Sequence, residues 1–325
     1  MIRKWILPEH IEDVLPDEAA RLESLRRLLL DHFANHGYLL VQPPLVEYLD
    51  SLLTGTGHDL ELQTFKVVDP LSGRLLGVRA DITPQVARID AHLLNARGVT
   101  RLCYAGSVLR TVPDGLNRTR EVLQIGAELY GDPDIRADQE VIALIISSLD
   151  AAGVRGLHLD LGHVGVYRAL ASAAGISGDD DSDLFVALRT KDVPAVREIT
   201  QRLPAAWRDA LDALPALYGP AEEVLTAARR KLPDTPAIAN ALASLEALAN
   251  AAQPHVEALH IDLADLRGYH YQNGATFSVF TAGAPIAIGN GGRYDGIGKA
   301  FGRGRPATGF TLDLRQLAAH VARHA

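Results

Sequence analysis

Residues 101–130 place the tightest limit on what this chain can fold into. Two runs of apolar strand texture, 101–110 and 118–130, flank a loop carrying Pro113-Asp114-Gly115. So short a link returns the chain antiparallel, and this hairpin sets the sheet direction for its neighbours. The pattern repeats nearby. The stretch "TFKVVDPLSGRLLGVRAD" reads as two strands around an Asp-Pro-Leu-Ser-Gly turn. Further strands are expected at "YLLVQPPLVEY", which runs into a proline stop, and at "LHLDLGH", "LHIDLAD", "TFSVF", "PIAIG" and "ATGFTLDL".

Helices punctuate this texture. Leu22, Leu25, Leu28, Leu29 and Phe33 form a helical stripe over 18–36, closed by Gly37. Thr83-Pro84 reads as a helix start, with Thr83 as N-cap and the helix running to about Arg97 before Gly98. Residues 137–152 form an apolar helix ended by Gly153, and a last helix follows "ATGFTLDL". From about 164 to 255 the chain turns rich in Ala and Leu, punctuated by Pro204, Pro215, Pro220, Pro233 and Pro236. This reads as a compact insertion of short helices. The expected fold class is α+β: one core domain over 1–325, a mostly antiparallel sheet flanked by helices and interrupted by the insertion at about 164–255.

Composition narrows the function. The net charge is −8 with no dense Lys/Arg block, which argues against a chain devoted to nucleic acid. The single cysteine, Cys103, permits no internal disulfide and no cysteine-based metal site, and its apolar setting reads as a buried structural thiol. No secretory signal or membrane-spanning run is legible, so a soluble, cytoplasmic protein is expected.

Three constellations carry chemistry. Arg110, Arg118 and Arg120 decorate the hairpin, with Arg118 and Arg120 on one strand face. Their guanidiniums match phosphate oxygens, or form ion pairs with Asp114, Glu121 or Glu128 on an exposed sheet. Residues 289–309 contain eight glycines with Arg293, Lys299, Arg303 and Arg305 among them. They fit neither the P-loop nor the dinucleotide fingerprint, leaving a ligand-approaching backbone or a mobile loop. Arg267, Tyr269, His270 and Tyr271 crowd a strand entrance, as a pocket for a small zwitterion or as cation–π packing. His158 and His163 lack partners at metal-ligand spacing and read as structural or surface residues; no metal or cofactor is expected.

In chain order, "LRTVPDGLNRTREVLQIGAE", "LRGYHYQNGATF" and "GGRYDG" resemble the class II histidyl-tRNA synthetase core. "GYLLVQPPLVEY", "GVRADITPQVAR" and "ATGFTLDLRQL" resemble further segments of that family, so the resemblance spans essentially the whole chain. It implies a class II aminoacyl-tRNA synthetase-like sheet. It also implies a residual phosphate clamp at Arg110, Arg118 and Arg120, and a histidine pocket built from Asp81, Thr83, Gln124, Glu128, Arg267 and Tyr294.

The departures are specific. Synthetases place a Glu two residues after the hairpin Arg; here Val112 stands there and cannot accept a hydrogen bond. The third motif ordinarily ends Glu-Arg-Leu; here it is Arg315-Gln316-Leu317, and Asp313 replaces a glycine. In the histidine signature His270 replaces an Asp and Gln272 a Tyr. The sequence ends at Ala325, leaving no room for an anticodon-binding domain of about 100 residues, so no tRNA partner is expected.

This pattern resembles the regulatory subunits of ATP phosphoribosyltransferase. The resemblance implies a non-catalytic chain without catalytic residues that pairs with itself as a homodimer and with a short-form catalytic subunit. It implies a role in the first step of histidine biosynthesis and a response to histidine. The alternatives are a free-standing aminoacyl-adenylate-forming enzyme and a stand-alone histidine sensor.

Overall fold

The computed structural model describes residues 6–55, 57–113, 119–266, 272–282 and 284–324. Among them, in chain order, lie the strands β1 (Leu39–Leu40), β2 (Val46–Tyr48), β3 (Phe65–Val68), β4 (Leu75–Val78), β5 (Thr100–Leu109) and β6 (Glu121–Tyr130). They continue with β7 (Leu157–His163), β8 (Tyr218–Pro220), β9 (Ala258–Asp262), β10 (Ala275–Thr281), β11 (Gly289–Arg293) and β12 (Ala307–Asp313). The chain divides into two compact units: residues 1–132, 147–154 and 296–325, and residues 133–146 and 155–295.

In the first unit the strands run β1-β5-β6-β12, with a separate small sheet β2-β4-β3. The β5–β6 and β3–β4 hairpins pair antiparallel as their short turns require. Among the described strands of this unit, β1 alone joins its neighbour in parallel. The helix Pro16–Asn35 buries Leu22, Leu25, Leu29 and Phe33, the 3.6-residue stripe of the sequence, and Leu28 lies outward. Phe33 meets Phe310 edge to face at 5.8 Å, which fixes this helix against β12. Gly37 follows with φ +83°, a conformation glycine adopts without strain.

The second unit orders its strands β11-β10-β7-β9-β8, antiparallel except for β7–β9. Residues 164–255 supply the helices Val164–Ala174, Asp179–Arg189, Val193–Thr200, Ala205–Ala213, Ala221–Lys231 and Pro236–Ala252. Proline starts them rather than breaks them: Pro204 and Pro220 are N-caps and Pro236 occupies the first turn. Thr235 caps that last helix through its side-chain acceptor, and His163 and Asp192 cap the helices Val164–Ala174 and Val193–Thr200 in the same way. Their leucines, among them Leu170, Leu184, Leu211, Leu225 and Leu245, are buried.

Four local expectations need correction. Thr83 is the first helical residue and not the N-cap, which is Ile82. That helix passes at Ile89 into a π-helix ending at Leu94, and Asn95, not Gly98, closes it in the left-handed conformation (φ +45°). "YLLVQPPLVEY" is not one strand, because Pro43 and Pro44 divide it between two sheets. The strand expected at "PIAIG" lies four residues later, at Gly289–Arg293. The insertion also contains β8, which periodicity alone does not reveal in three residues.

Two buried ion pairs consume arginines of the glycine-rich segment. In the second unit Arg293 grips Asp138 through Nε and Nη2 at 2.9 and 2.8 Å. In the first, Arg305 reaches Asp90 of the π-helix at 2.8 Å, while Arg303 donates to Asn95 Oδ1 at 2.8 Å and to Ala96. These arginines tie loops together. Burial lifts the Cys103 thiol to about 11, as a structural cysteine requires. No described helix is long and apolar enough to cross a membrane.

Candidate functional site

Strand register assembles the site in the first unit. Gln124 of β6 lies opposite Gly106 of β5 and Asp313 of β12; Gly126 lies opposite Tyr104 and Thr311; Glu128 lies opposite Gly309. Paired residues share a face, so Tyr104, Gln124, Glu128, Thr311 and Asp313 line one surface, opposite the face on which Phe33 packs against Phe310. Three strand glycines make room on it. A Cβ at Gly106 would overlap the Arg79 guanidinium, one at Gly126 the Tyr104 hydroxyl, and one at Gly309 the Glu128 carboxylate.

Glu128 is 1% exposed and is the centre of the site. Its Oε1 accepts from the Thr83 hydroxyl at 3.0 Å and the Tyr104 hydroxyl at 3.3 Å. Thr83 thus turns its side chain to the sheet instead of to its own helix. Burial, then the charges of Glu128 and Asp81, hold the Tyr104 phenol well above its usual value of 10, so it stays a donor. Gln124 accepts the Ile82 N–H at 3.1 Å, and Asp81 Oδ1 accepts the same N–H at 2.8 Å. Arg79 holds this turn in place by donating to Ser107 O and Pro43 O, both at 2.8 Å. Asp81, Thr83, Gln124 and Glu128 therefore converge. A buried carboxylate accepts and cannot donate, so the group it would recognise is an N–H donor or a cation.

Tyr294 is buried in the second unit. Arg267, Arg118, Asp114, Tyr269, His270 and Tyr271 lie outside the described residues. Gln272 is buried and donates to Gly291 O at 3.4 Å, while its Oε1 has no hydrogen-bond partner among the described residues. The hairpin arginines meet backbone carbonyls. Arg110 Nε donates to Ala80 O at 3.5 Å; Arg120 Nε donates to Arg110 O at 3.1 Å, and its guanidinium lies 4.8 Å from the Phe65 ring centroid. Glu121 lies 3.8 Å from Arg315 instead.

Asp313 Oδ1 accepts the backbone N–H groups of Arg315 and Gln316 at 2.9 and 3.3 Å, and Gln316 Nε2 donates to Asp313 Oδ2 at 2.7 Å. Val112 is 60% exposed and contributes no polar atom. Residues the sequence reading did not single out include Tyr104, Arg79 and Gly309. The signal available for them was glycine inside strands, which marks close approach of a side chain. Among the described residues no group of three His, Cys, Asp or Glu side chains is placed to hold a metal ion.

The histidyl-tRNA synthetase family profile matches residues 10–317. The chain is 58% identical over 318 residues to an ATP phosphoribosyltransferase regulatory subunit of Ralstonia pickettii, covering 98% of this chain and 81% of that one. It is 58% identical to a protein of the same name from Thiobacillus denitrificans, covering 96% and 97%. A crystal structure from Bacillus halodurans, described as an ATP phosphoribosyltransferase regulatory subunit/histidyl-tRNA synthetase, superposes with a TM-score of 0.86 at 27% identity, covering 99% of this chain and 84% of that one. A synthetase-like sheet whose third motif ends in a hydrogen-bonded Asp313–Gln316 pair, with relatives of one name along nearly its whole length, places the chain in the family of ATP phosphoribosyltransferase regulatory subunits.

Proposed function

We propose that this chain is a non-catalytic subunit that binds a short-form ATP phosphoribosyltransferase catalytic subunit and makes its rate responsive to histidine. The observation that carries the reading is the 2.7 Å bond from Gln316 to Asp313. Where the synthetase pattern has an arginine and a glycine, the two replacements satisfy each other. Adenylate formation needs its reactants aligned, and a misplaced group costs orders of magnitude in rate. With Val112 and Gln316 in those positions the chain has no adenine-reading side chains of the synthetase type. The face around Glu128 keeps its carboxylate, its two hydroxyl donors and Gln124, which suits a small ligand carrying N–H groups, such as histidine.

A subunit without chemistry changes a partner's rate only by binding its conformational states unequally. In this reading the chain favours the active arrangement of the transferase, and histidine in the Glu128 site biases that preference. It works in the cytoplasm, without tRNA, and pairs with itself through the edge near Val41–Val46, where Leu39, Leu40, Leu45 and Val46 are exposed.

The deciding experiment is co-purification with a short-form transferase followed by its activity assay with and without histidine. Stimulation of the transferase and its histidine-dependent loss support the reading. Failure to change the rate overturns it in favour of a stand-alone histidine sensor. Histidine-dependent ATP–pyrophosphate exchange by the chain alone overturns it in favour of an adenylate-forming enzyme. Sedimentation as a monomer at micromolar concentration overturns the self-pairing.

A further inference from the structure

The N-terminal segment crosses the root of the Arg hairpin. His10 stands at φ +59°, a left-handed conformation that costs a side-chain-bearing residue energy. That conformation aims the His10 carbonyl at the hairpin, where it accepts from Arg120 N–H at 2.8 Å and from the Thr119 hydroxyl at 3.0 Å. The Glu9 carbonyl accepts from Arg120 Nη1 at a loose 3.5 Å, and Glu12 reaches Arg315 at 3.5 Å. Pro8 closes the turn by accepting from Ile11 N–H at 3.1 Å. The segment buries little: residues 7–10 are exposed, and the Glu12 side chain is 68% exposed.

The guanidinium it covers is held on its other sides. Arg120 Nε is tied to Arg110 O, and Phe65 lies against the plane of the group. Its outer edge faces a long contact to a neutral carbonyl. A fixed guanidinium prefers a charged oxyanion to such a partner, and a phosphate takes its fork of donors two at a time.

We propose that residues 8–12 are a displaceable strap that competes with a phosphate-class oxyanion for Arg120. The proposal rests on reading Arg120 as part of an anion clamp. The strap is the intramolecular occupant of that clamp, so apparent anion affinity is the intrinsic affinity multiplied by the fraction of time the strap is open; a strap open one tenth of the time lowers it about tenfold. The strained turn at His10 and the loose Glu9 contact make the closed state easy to leave.

The test uses the full chain. Proline fixes φ near −65°, about 125° from the value at residue 10, so His10→Pro expels the strap, whereas His10→Gly keeps the left-handed turn available. Residue 10 is exposed, so neither change disturbs the core. Hydrogen exchange reads the Arg120 N–H, and calorimetry reads binding of inorganic tripolyphosphate. Expected for His10→Pro are an Arg120 amide exchanging at least ten times faster, tripolyphosphate bound about ten times more tightly, and wild-type behaviour of His10→Gly in both. Adding Arg120→Ala to His10→Pro should remove the gain in affinity.

Unchanged exchange in His10→Pro overturns the strap. Faster exchange without tighter binding reduces it to a structural tie and overturns the competition, while the clamp reading survives if wild-type binding depends on Arg120. A gain that persists after Arg120→Ala puts the anion elsewhere and overturns the clamp reading together with the proposal.

Discussion

Gln316 donates its side-chain amide to Asp313 across 2.7 Å, while the other oxygen of Asp313 accepts the N–H groups of Arg315 and Gln316. This is helix N-capping at the start of Leu314–His324. Two replacements that read in sequence as losses from a nucleotide site form one stabilising unit in the fold. The third motif has become a helix cap.

Restoring one half of the old pair should therefore not restore chemistry. In Gln316→Arg, Asp313 remains on the face and takes the new guanidinium as an ion-pair partner. ATP–pyrophosphate exchange should stay at background in the wild type and in this variant. Asp313→Ala should cost about 1 kcal/mol of stability, the usual worth of an N-cap. Denaturant titration measures it, and an unchanged midpoint would falsify the capping role.

The second prediction concerns Glu128. Glu128→Gln keeps the shape that Gly309 accommodates but removes the charge. A hydrogen bond to a charged group is worth about 1.5–3 kcal/mol, so histidine affinity should fall roughly 10- to 100-fold. Calorimetry on the isolated chain reads the loss. Inhibition curves on the complex with the transferase read its regulatory consequence. If inhibition is untouched while binding is lost, feedback is exerted at another site.

Much of this was legible beforehand, for identifiable reasons. The hairpins at 65–78 and 100–130 follow from short turns between strand-textured runs, and the Pro16–Asn35 helix from its stripe. The candidates Asp81, Thr83, Gln124 and Glu128 came from a family resemblance, and the fold brings them together. Tyr104 escaped notice because an aromatic in a strand reads as core; only the facing Gly126 betrays that its hydroxyl needs space. The π-helix escaped because local periodicity does not separate it from the α-helix before it, and its Asp90 is held by Arg305, 215 residues away in sequence. The glycine-rich segment read as a ligand-approaching backbone or a mobile loop because sequence does not show the buried carboxylates that Arg293 and Arg305 meet.

Those buried pairs supply a third prediction. Asp90 and Arg305 are 2% and 8% exposed in their side chains. Removing one partner leaves the other charged and buried, which typically costs about 3–5 kcal/mol. Asp90→Ala should lower the unfolding midpoint strongly, and Arg305→Ala similarly. The double variant Asp90→Leu with Arg305→Met should recover much of the loss, because an apolar pair leaves no uncompensated charge. No recovery would mean that the contacts of Arg305 with Gly98 and Tyr130, and not the pair, hold the segment.

The fourth prediction is a pH dependence at His163. Its Nδ1 accepts the Gly165 N–H at 3.1 Å and caps the helix Val164–Ala174, so the folded state needs that nitrogen unprotonated. The seat is specific, because a Cβ on Gly165 would come within 2.8 Å of the ring. Burial pushes the imidazole down from 6.5 to about 4. The sign follows from proton counting. Between these values the unfolded chain binds the proton and the folded chain does not, so stability rises with pH. The contribution is fully present above pH 6.5, is lost as pH falls toward 4, and is on the order of 2–3 kcal/mol for a largely buried ring. His163→Asn supplies a capping acceptor that does not titrate. Urea midpoints from pH 7.5 to pH 4.5 should therefore fall more steeply for the wild type than for His163→Asn, with the two nearly equal at the upper end. Parallel profiles would mean that the ring tolerates its proton in place, and that acid sensitivity in this range comes from carboxylates.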